Sequence, residues 1–176
     1  MRIALSIAGV AIFALTAAGT ALAQGSGAEA RLKQLNITLP ADQAPAANFV
    51  NSVQAGKLLF LSGNTPGGQW PLKGKVGKDL TIEQGYESAR QTGLIMLGKI
   101  RTALGSLDRV KRVVKVLGMV NSADGFSDQP KVVNGFSDLM VEVFGEAIGK
   151  HARSAVGMAG LPGNAPVEVE MIVEVE

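Results

Sequence analysis

Arg153 and the glutamates of the closing run, Glu168, Glu170 and Glu174, are the residues of this chain whose types and placement could do chemistry together. Arg153 opens the run RSAVGMAG, the turn LPGNAP follows, and Glu168 belongs to the returning run VEVEMIVEV at 167–175. A guanidinium can hold a carboxylate through two parallel charge-assisted hydrogen bonds, where a lysine offers only a point charge. A carboxylate on the neighbouring strand can act as a base or orient a water molecule. A plainer arrangement is equally open: Arg153 lies beside a hairpin as a surface charge, or pairs with a strand glutamate. An arginine in a shielded cleft would cost several kcal/mol without a partner, so a bound anion or a strand glutamate must satisfy it. In the final run Val167, Val169, Met171, Val173 and Val175 share one face, and Glu168, Glu170, Ile172, Glu174 and Glu176 share the other. Glu170, Glu174 and Glu176 read most simply as solvated or interface charges.

Other polar candidates are weaker. The chain has no cysteine and a single histidine, His151, which argues against a histidine-based zinc site or a histidine triad. His151 reads as a residue of an exposed turn. Trp70 with Lys73, Lys75 and Lys78 superficially suggests base stacking beside phosphate contacts. In so glycine-rich a loop, a solvated loop or a cleft lid is the simpler reading. Met96 and Met140 fall on apolar helix positions and belong to the core.

The elements that position these residues follow from the patterning. Met1-Arg2, the apolar stretch IALSIAGVAIFALTAAGTA and Ala21-Leu22-Ala23 make a signal peptide over 1–23, cleaved before Gln24, so the protein is expected to be periplasmic or secreted, with no membrane attachment after cleavage. The signal carries one base and no acid, and its removal lowers the formal net charge from +2 to +1. So even a balance gives no electrostatic case for nucleic acid as a partner. Without disulfides, residues 24–176 must stand on their hydrophobic core.

Residues 24–30 read as a flexible lead, and ARLKQLNITLP as a short helix ended by Asn36 and Pro40, within an N-terminal lead over 24–40. FVNSVQ (49–54) and KLLFLSG (57–63) flank Ala55-Gly56 as a strand pair. Residues 64–79 are a Gly/Pro/Lys loop too broken for a regular element. Thr81-Ile82-Glu83-Gln84 fits a capping box, and an apolar stripe from Tyr86 to Leu104 predicts a helix stopped by Gly105. Gly85, Gly93 and Gly98 each cost that helix about 1 kcal/mol against alanine. Close approach to a sheet or to a neighbouring chain would explain them. VKRVVKVLGMVN (110–121) is a strand; Asp128 can cap a second helix with Pro130 in its first turn and Gly145 at its end. Two last strands follow, over 153–160 and 167–175. The order is ββαβαββ, an α+β fold with one mixed sheet and two helices on one face, so the opposite face needs another partner, a copy of the same chain.

The stretches NFVNSVQAGKLLFLSGNTP, NGFSDLMVEVFGE and, most specifically, HARSAVGMAGLPGNAPVEVEMIVEV give residues 41–176 a resemblance to the RidA family, also called YjgF/YER057c/UK114 or L-PSP endoribonuclease-like. The chain looks closest to the family's longer, largely uncharacterised branch. The resemblance implies a chorismate-mutase-like fold assembled as a homotrimer, with the sheets forming a central barrel and ligand clefts between subunits. It also implies that Arg153 grips a substrate carboxylate, that Glu168 positions or activates water, and that Asn134 and the Ser62-Gly63 pair belong to the site. Phe49 stands where the family has a tyrosine, and Asn64 where it has a glutamine. A phenyl ring can wall a cleft but cannot hydrogen-bond a ligand. The implied activity is hydrolysis of reactive enamines or imines to 2-oxo acids and ammonia, needing neither metal nor organic cofactor, with a small carboxylate-bearing molecule as ligand. A non-catalytic ligand-binding or chaperone-like module is the alternative on the same scaffold. An endoribonuclease is disfavoured by the charge balance and the export signal, and chorismate mutase activity rests on fold analogy alone.

Overall fold

The computed structural model describes residues 27–45 and 47–176; the signal sequence expected over 1–23 lies outside the described residues. Helix α1 (Ala28–Gln34) leads into strands β1 (Ser52–Ala55) and β2 (Leu58–Asn64) and then helix α2 (Ile82–Leu104). Strand β3 (Val110–Asn121), helix α3 (Gln129–Phe144), the short helix α4 (Glu146–Gly149) and strands β4 (Ala152–Met158) and β5 (Val167–Val175) complete the chain. With α1 and α4 set aside, this is the expected ββαβαββ order.

The five strands form one sheet in the order β1-β2-β5-β3-β4. All neighbours are antiparallel except β3 and β4, which run parallel, with α3 in the crossover between them. The two closing strands are therefore not a hairpin. β5 inserts between β2 and β3, and β3 separates it from β4, which corrects the reading of Arg153 as facing a carboxylate on the adjacent strand. The long, β-branched β3 has the hydrogen-bonding length to serve both, pairing with β4 from Lys115 to Asn121 and with β5 from Val110 to Val120.

The alternation along β5 decides which face is covered. Val167, Val169, Met171, Val173 and Val175 are all buried, under α2 and α3, with Leu59, Leu61, Val113, Val116 and Val120 from the neighbouring strands. The other face leaves Val53, Phe60, Val156 and Met158 exposed. Among the described residues, no helix is long and apolar enough to cross a membrane.

Helix α2 starts as its sequence dictates. The Thr81 side chain accepts from the Gln84 amide at 3.2 Å, and the Gln84 side chain accepts from the Thr81 amide at 2.9 Å. Within this chain its glycines answer to a helix and a loop rather than to the sheet. A β carbon on Gly85 would press on Val132, and one on Gly93 on Leu139 and Phe136, all from α3, while one on Gly98 would meet the Pro40 carbonyl. The α2–α3 packing is close because those positions are bare.

Four local expectations need correcting. α1 begins inside the segment read as a flexible lead: Ala28 and Leu32 are buried, and Glu29 holds Arg101 through two bonds of 3.0 and 2.7 Å. β1 starts at Ser52 rather than at residue 49, because the chain before it is tied sideways. The Asn51 amide donates to Asp42 and to the Gln43 carbonyl, and the Ser62 hydroxyl donates to the Val50 carbonyl. β4 runs from Ala152 to Met158, so Ala159 and Gly160 fall in the turn. Asp128 does precede α3, but its carboxylate pairs with Lys131 at 3.0 Å instead of capping an amide.

Candidate functional site

Arg153 lies on edge strand β4 opposite Val116, a residue wholly buried beneath the helices, so its side chain rises on the helical side of the sheet. There α3 receives it. Nη1 donates to the Asn134 side-chain oxygen at 2.9 Å and to the Ser137 hydroxyl at 3.0 Å, and Nη2 lies 3.4 Å from the Pro130 carbonyl. Pro130, Asn134 and Ser137 recur at helical spacing, so one stripe of α3 presents all three acceptors. Among the described residues Nε–H and one Nη2 hydrogen have no acceptor, leaving donors along one edge of a half-exposed guanidinium. That edge has the geometry to fork onto a carboxylate.

The acceptors are themselves fixed. His151 Nδ1 lies 2.6 Å from the Gly149 carbonyl and its Nε2 lies 3.0 Å from Ser137 Oγ. A carbonyl can only accept, so Nδ1 carries the proton, and a neutral Nε2 accepts from the Ser137 hydroxyl, which accepts in turn from Arg153. Burial pushes the His151 pKa below its ordinary value; the Gly149 carbonyl opposes this and the Arg153 charge adds to it. The ring packs edge-on to Phe136, with centroids 6.5 Å apart. His151 is therefore a half-buried member of the arginine's support and not the residue of an exposed turn that its neighbours in sequence suggest.

Glu168 sits elsewhere. It pairs in register with Met119, between the buried Val167 and Val169, and so points to the face of the sheet opposite the helices. A register shift between Leu61 and Asn64 places Ser62-Gly63 beside it. Its carboxylate occupies the space a β carbon on Gly63 would need, so only glycine fits there without moving it. Burial raises the pKa of Glu168, and the nearby Glu170 charge raises it further. No side chain among the described residues donates a hydrogen bond to it.

Phe49 precedes β1 and is exposed, one residue from the Val50 carbonyl that Ser62 binds at 2.6 Å. The expected residues therefore divide into two groups. Arg153 and Asn134 stand on the β4–α3 side, whereas Phe49, Ser62, Gly63 and Glu168 gather around the end of β2. Within one chain the sheet separates Arg153 from Glu168, and Glu168 does not satisfy the guanidinium. The Asn134 side-chain oxygen accepts from Arg153.

Sequence reasoning missed Ser137, whose hydroxyl joins Arg153 to His151; its spacing from Pro130 and Asn134 was the available signal. It also missed Lys99, buried on α2 and paired with Asp42 at 3.2 Å. The Trp70 indole N–H donates to the Ser88 hydroxyl at 2.9 Å, which ties its loop to α2. Lys75 bridges the Ser122 and Ala159 carbonyls, which leaves it as a strut between loops.

The family model described as "YjgF/chorismate_mutase-like, putative endoribonuclease" matches residues 29–175. Protein TCP17 of Trypanosoma cruzi is 48% identical over 149 residues, covering 82% of this chain and 92% of that protein. A 2-iminobutanoate/2-iminopropanoate deaminase of Dermatophagoides farinae is 29% identical over 140 residues, covering 80% of this chain and 95% of that one. The crystal structure of Atu1372 from Agrobacterium tumefaciens, a protein of unknown function, matches with a TM-score of 0.76 at 40% identity, over 84% of this chain and 91% of that one.

Proposed function

The chain belongs to the YjgF/chorismate mutase-like family, that of the RidA proteins, and from that premise we propose that it binds a small carboxylate-bearing molecule in clefts between the copies of a homotrimer, and hydrolyses reactive enamines or imines there. The observation that carries this reading is the guanidinium of Arg153, held from one side by Asn134 and Ser137 with an edge of donors left over. Arg153 holds the carboxylate. Glu168 and the Ser62-Gly63 backbone, from a second copy, address the water, since one chain keeps these groups on opposite sides of its sheet. The exposed apolar face of the sheet, with Val53, Phe60 and Val156, supports assembly.

In the reaction, water adds to the C=N carbon, the C–N bond breaks, and the products are a 2-oxo acid and ammonia. The raised pKa of Glu168 brings it nearer the range in which a carboxyl group exchanges protons with water at neutral pH. Positioning water against a held imine carbon can supply several kcal/mol of the rate enhancement. Export through a signal sequence over 1–23 belongs to the same proposal and places this chemistry in the periplasm or outside the cell.

One observation favours a second reading, a binding module without turnover. Phe49 offers a ring and no hydroxyl beside the Ser62-Gly63 end of β2. Ammonia release from freshly generated 2-iminobutanoate and 2-iminopropanoate separates the two, with Arg153→Ala as control. Turnover lost in the variant supports the hydrolase, and binding of 2-oxobutanoate without turnover supports the module. Failure to bind 2-oxobutanoate at all overturns both.

A further inference from the structure

On the opposite edge of the sheet from Arg153, the segment 40–43, the loop 64–70 and helix α2 line a cleft, open to solvent on one side, of about 470 Å³. That volume lies in the range of about 300–1,000 Å³ found for small-molecule sites. Its walls are pinned. Asn51 binds both Asp42 and the Gln43 carbonyl, Asn64 binds the Ser62 carbonyl, and Trp70 is fixed to Ser88. A site whose walls are already held costs little ordering on binding.

Lys99 lines this cavity and is only 7% exposed. Its ammonium has three donors and, among the described residues, one acceptor, Asp42 Oδ1 at 3.2 Å. Asp42 Oδ1 takes both Lys99 and Asn51, while Oδ2 has no partner among the described residues. A buried ion pair brings no stability that well-packed apolar residues could not match, so its place on a cavity wall calls for another role.

We propose that this cavity binds a neutral polyhydroxylated molecule of about the size of a monosaccharide. The pair already cancels its own charge, so a further full charge on the ligand meets no unbalanced partner. Each hydroxyl both donates and accepts, and so can accept from Lys99 while donating to Asp42 Oδ2. The amides of Gln43, Gln69 and Gln91 also line the cavity and offer the same mixed chemistry, while Asn64, whose amide hydrogens go to the Ser62 carbonyl and the Met96 sulfur, adds an acceptor. Trp70 and Ile95 supply an apolar wall for the C–H face of a sugar ring. This site is independent of the anion site at Arg153.

Trp70 is the chain's single tryptophan, so its emission reports directly on the cavity. Full-length processed protein is titrated with D-glucose, D-galactose, D-mannose and D-ribose, and separately with L-leucine and 2-oxobutanoate. A saturable change with at least one sugar is expected, weakened about fivefold or more by Gln91→Ala, which removes hydrogen bonds from a half-exposed wall residue. Asp42→Asn, checked for folding by circular dichroism, weakens it as well. No saturable response to any of the sugars overturns the proposal. So does a response confined to L-leucine, or one confined to 2-oxobutanoate that Arg153→Ala abolishes, which would assign the cavity to the carboxylate cleft instead.

Discussion

The carboxylate of Glu168 fills the space beside Gly63 where any other residue would carry its β carbon. The obstructing group is the end of a flexible side chain, so Gly63→Ala is expected to fold. Glu168 must then swing away from the β2 bulge. We expect the carboxyl titration of Glu168, followed by carbon-detected NMR, to move down towards the ordinary glutamate range, with loss of any imine turnover. An unchanged titration would show that the shielding does not depend on Gly63.

Glu168→Gln separates stability from function. Because the folded-state pKa of Glu168 is raised by burial and by Glu170, its favourable contribution is complete below the unfolded pKa and is lost as pH rises through the folded one. At neutral pH the ionised group therefore weighs against folding. The glutamine variant should be slightly more stable than the parent at pH about 7 and not at pH about 3, below the ordinary glutamate pKa of about 4.3, where the carboxyl is protonated. Urea midpoints at the two pH values test this. A more stable protein that no longer turns over imines would mark the carboxylate as kept for chemistry.

Much of this fold was legible because burial follows period. The alternation in β5, the capping box at Thr81 and the β-branched run of β3 each give a local rule that the tertiary structure obeys. The strand order was not legible. Nothing local in RSAVGMAG distinguishes a hairpin partner of β5 from a strand placed beyond β3, and the turn LPGNAP permits either. The site suffered most from this. The resemblance names Arg153, Asn134 and Glu168, but only the strand order and register show that the arginine and the glutamate lie on different strands and face opposite ways. Ser137 escaped because a serine on a helix ordinarily bonds its own backbone, and Lys99 because a lysine at a buried helix position contradicts the pattern being read.

His151 carries a second pH dependence, of opposite sign to that of Glu168. Its folded-state pKa is lowered, chiefly by burial, so the unfolded chain binds the proton more tightly. Stability is full above the ordinary histidine pKa of about 6.5 and declines as pH falls below it. His151→Asn should flatten that decline between pH about 7 and about 5 in urea titrations. A His151→Asn variant whose midpoint falls as steeply as the parent's across this window would show that His151 charges in place without cost.

Arg153→Lys tests geometry apart from charge. A lysine keeps the positive charge but cannot span Asn134 and Ser137 while forking onto a ligand. Loss of charge-assisted bonds worth about 1.5–3 kcal/mol corresponds to weaker 2-oxobutanoate binding by about ten- to a hundredfold. Arg153→Ala should lower affinity further and leave the thermal midpoint nearly unchanged, because the side chain is half-exposed and bonded only to α3. Equal affinity in the lysine variant, measured by calorimetry, would reduce the site to a point charge.

Gly98→Ala sets two known effects against each other. Alanine improves helix propensity by about 1 kcal/mol. At this position, however, its β carbon would come within 2.7 Å of the Pro40 carbonyl oxygen, and a backbone atom cannot turn aside as a side chain can. Overpacking of that kind costs about 1–3 kcal/mol, so the variant should be less stable than the parent by up to about 2 kcal/mol. The strain has a direction. Relief requires segment 40–43 to lift from α2, which draws Asp42 away from Lys99 and opens the cavity beside Trp70. A lower urea midpoint together with altered Trp70 emission in the native state is the expected result. A variant more stable than the parent would show that helix propensity wins and that the segment before β1 rests on α2 only loosely.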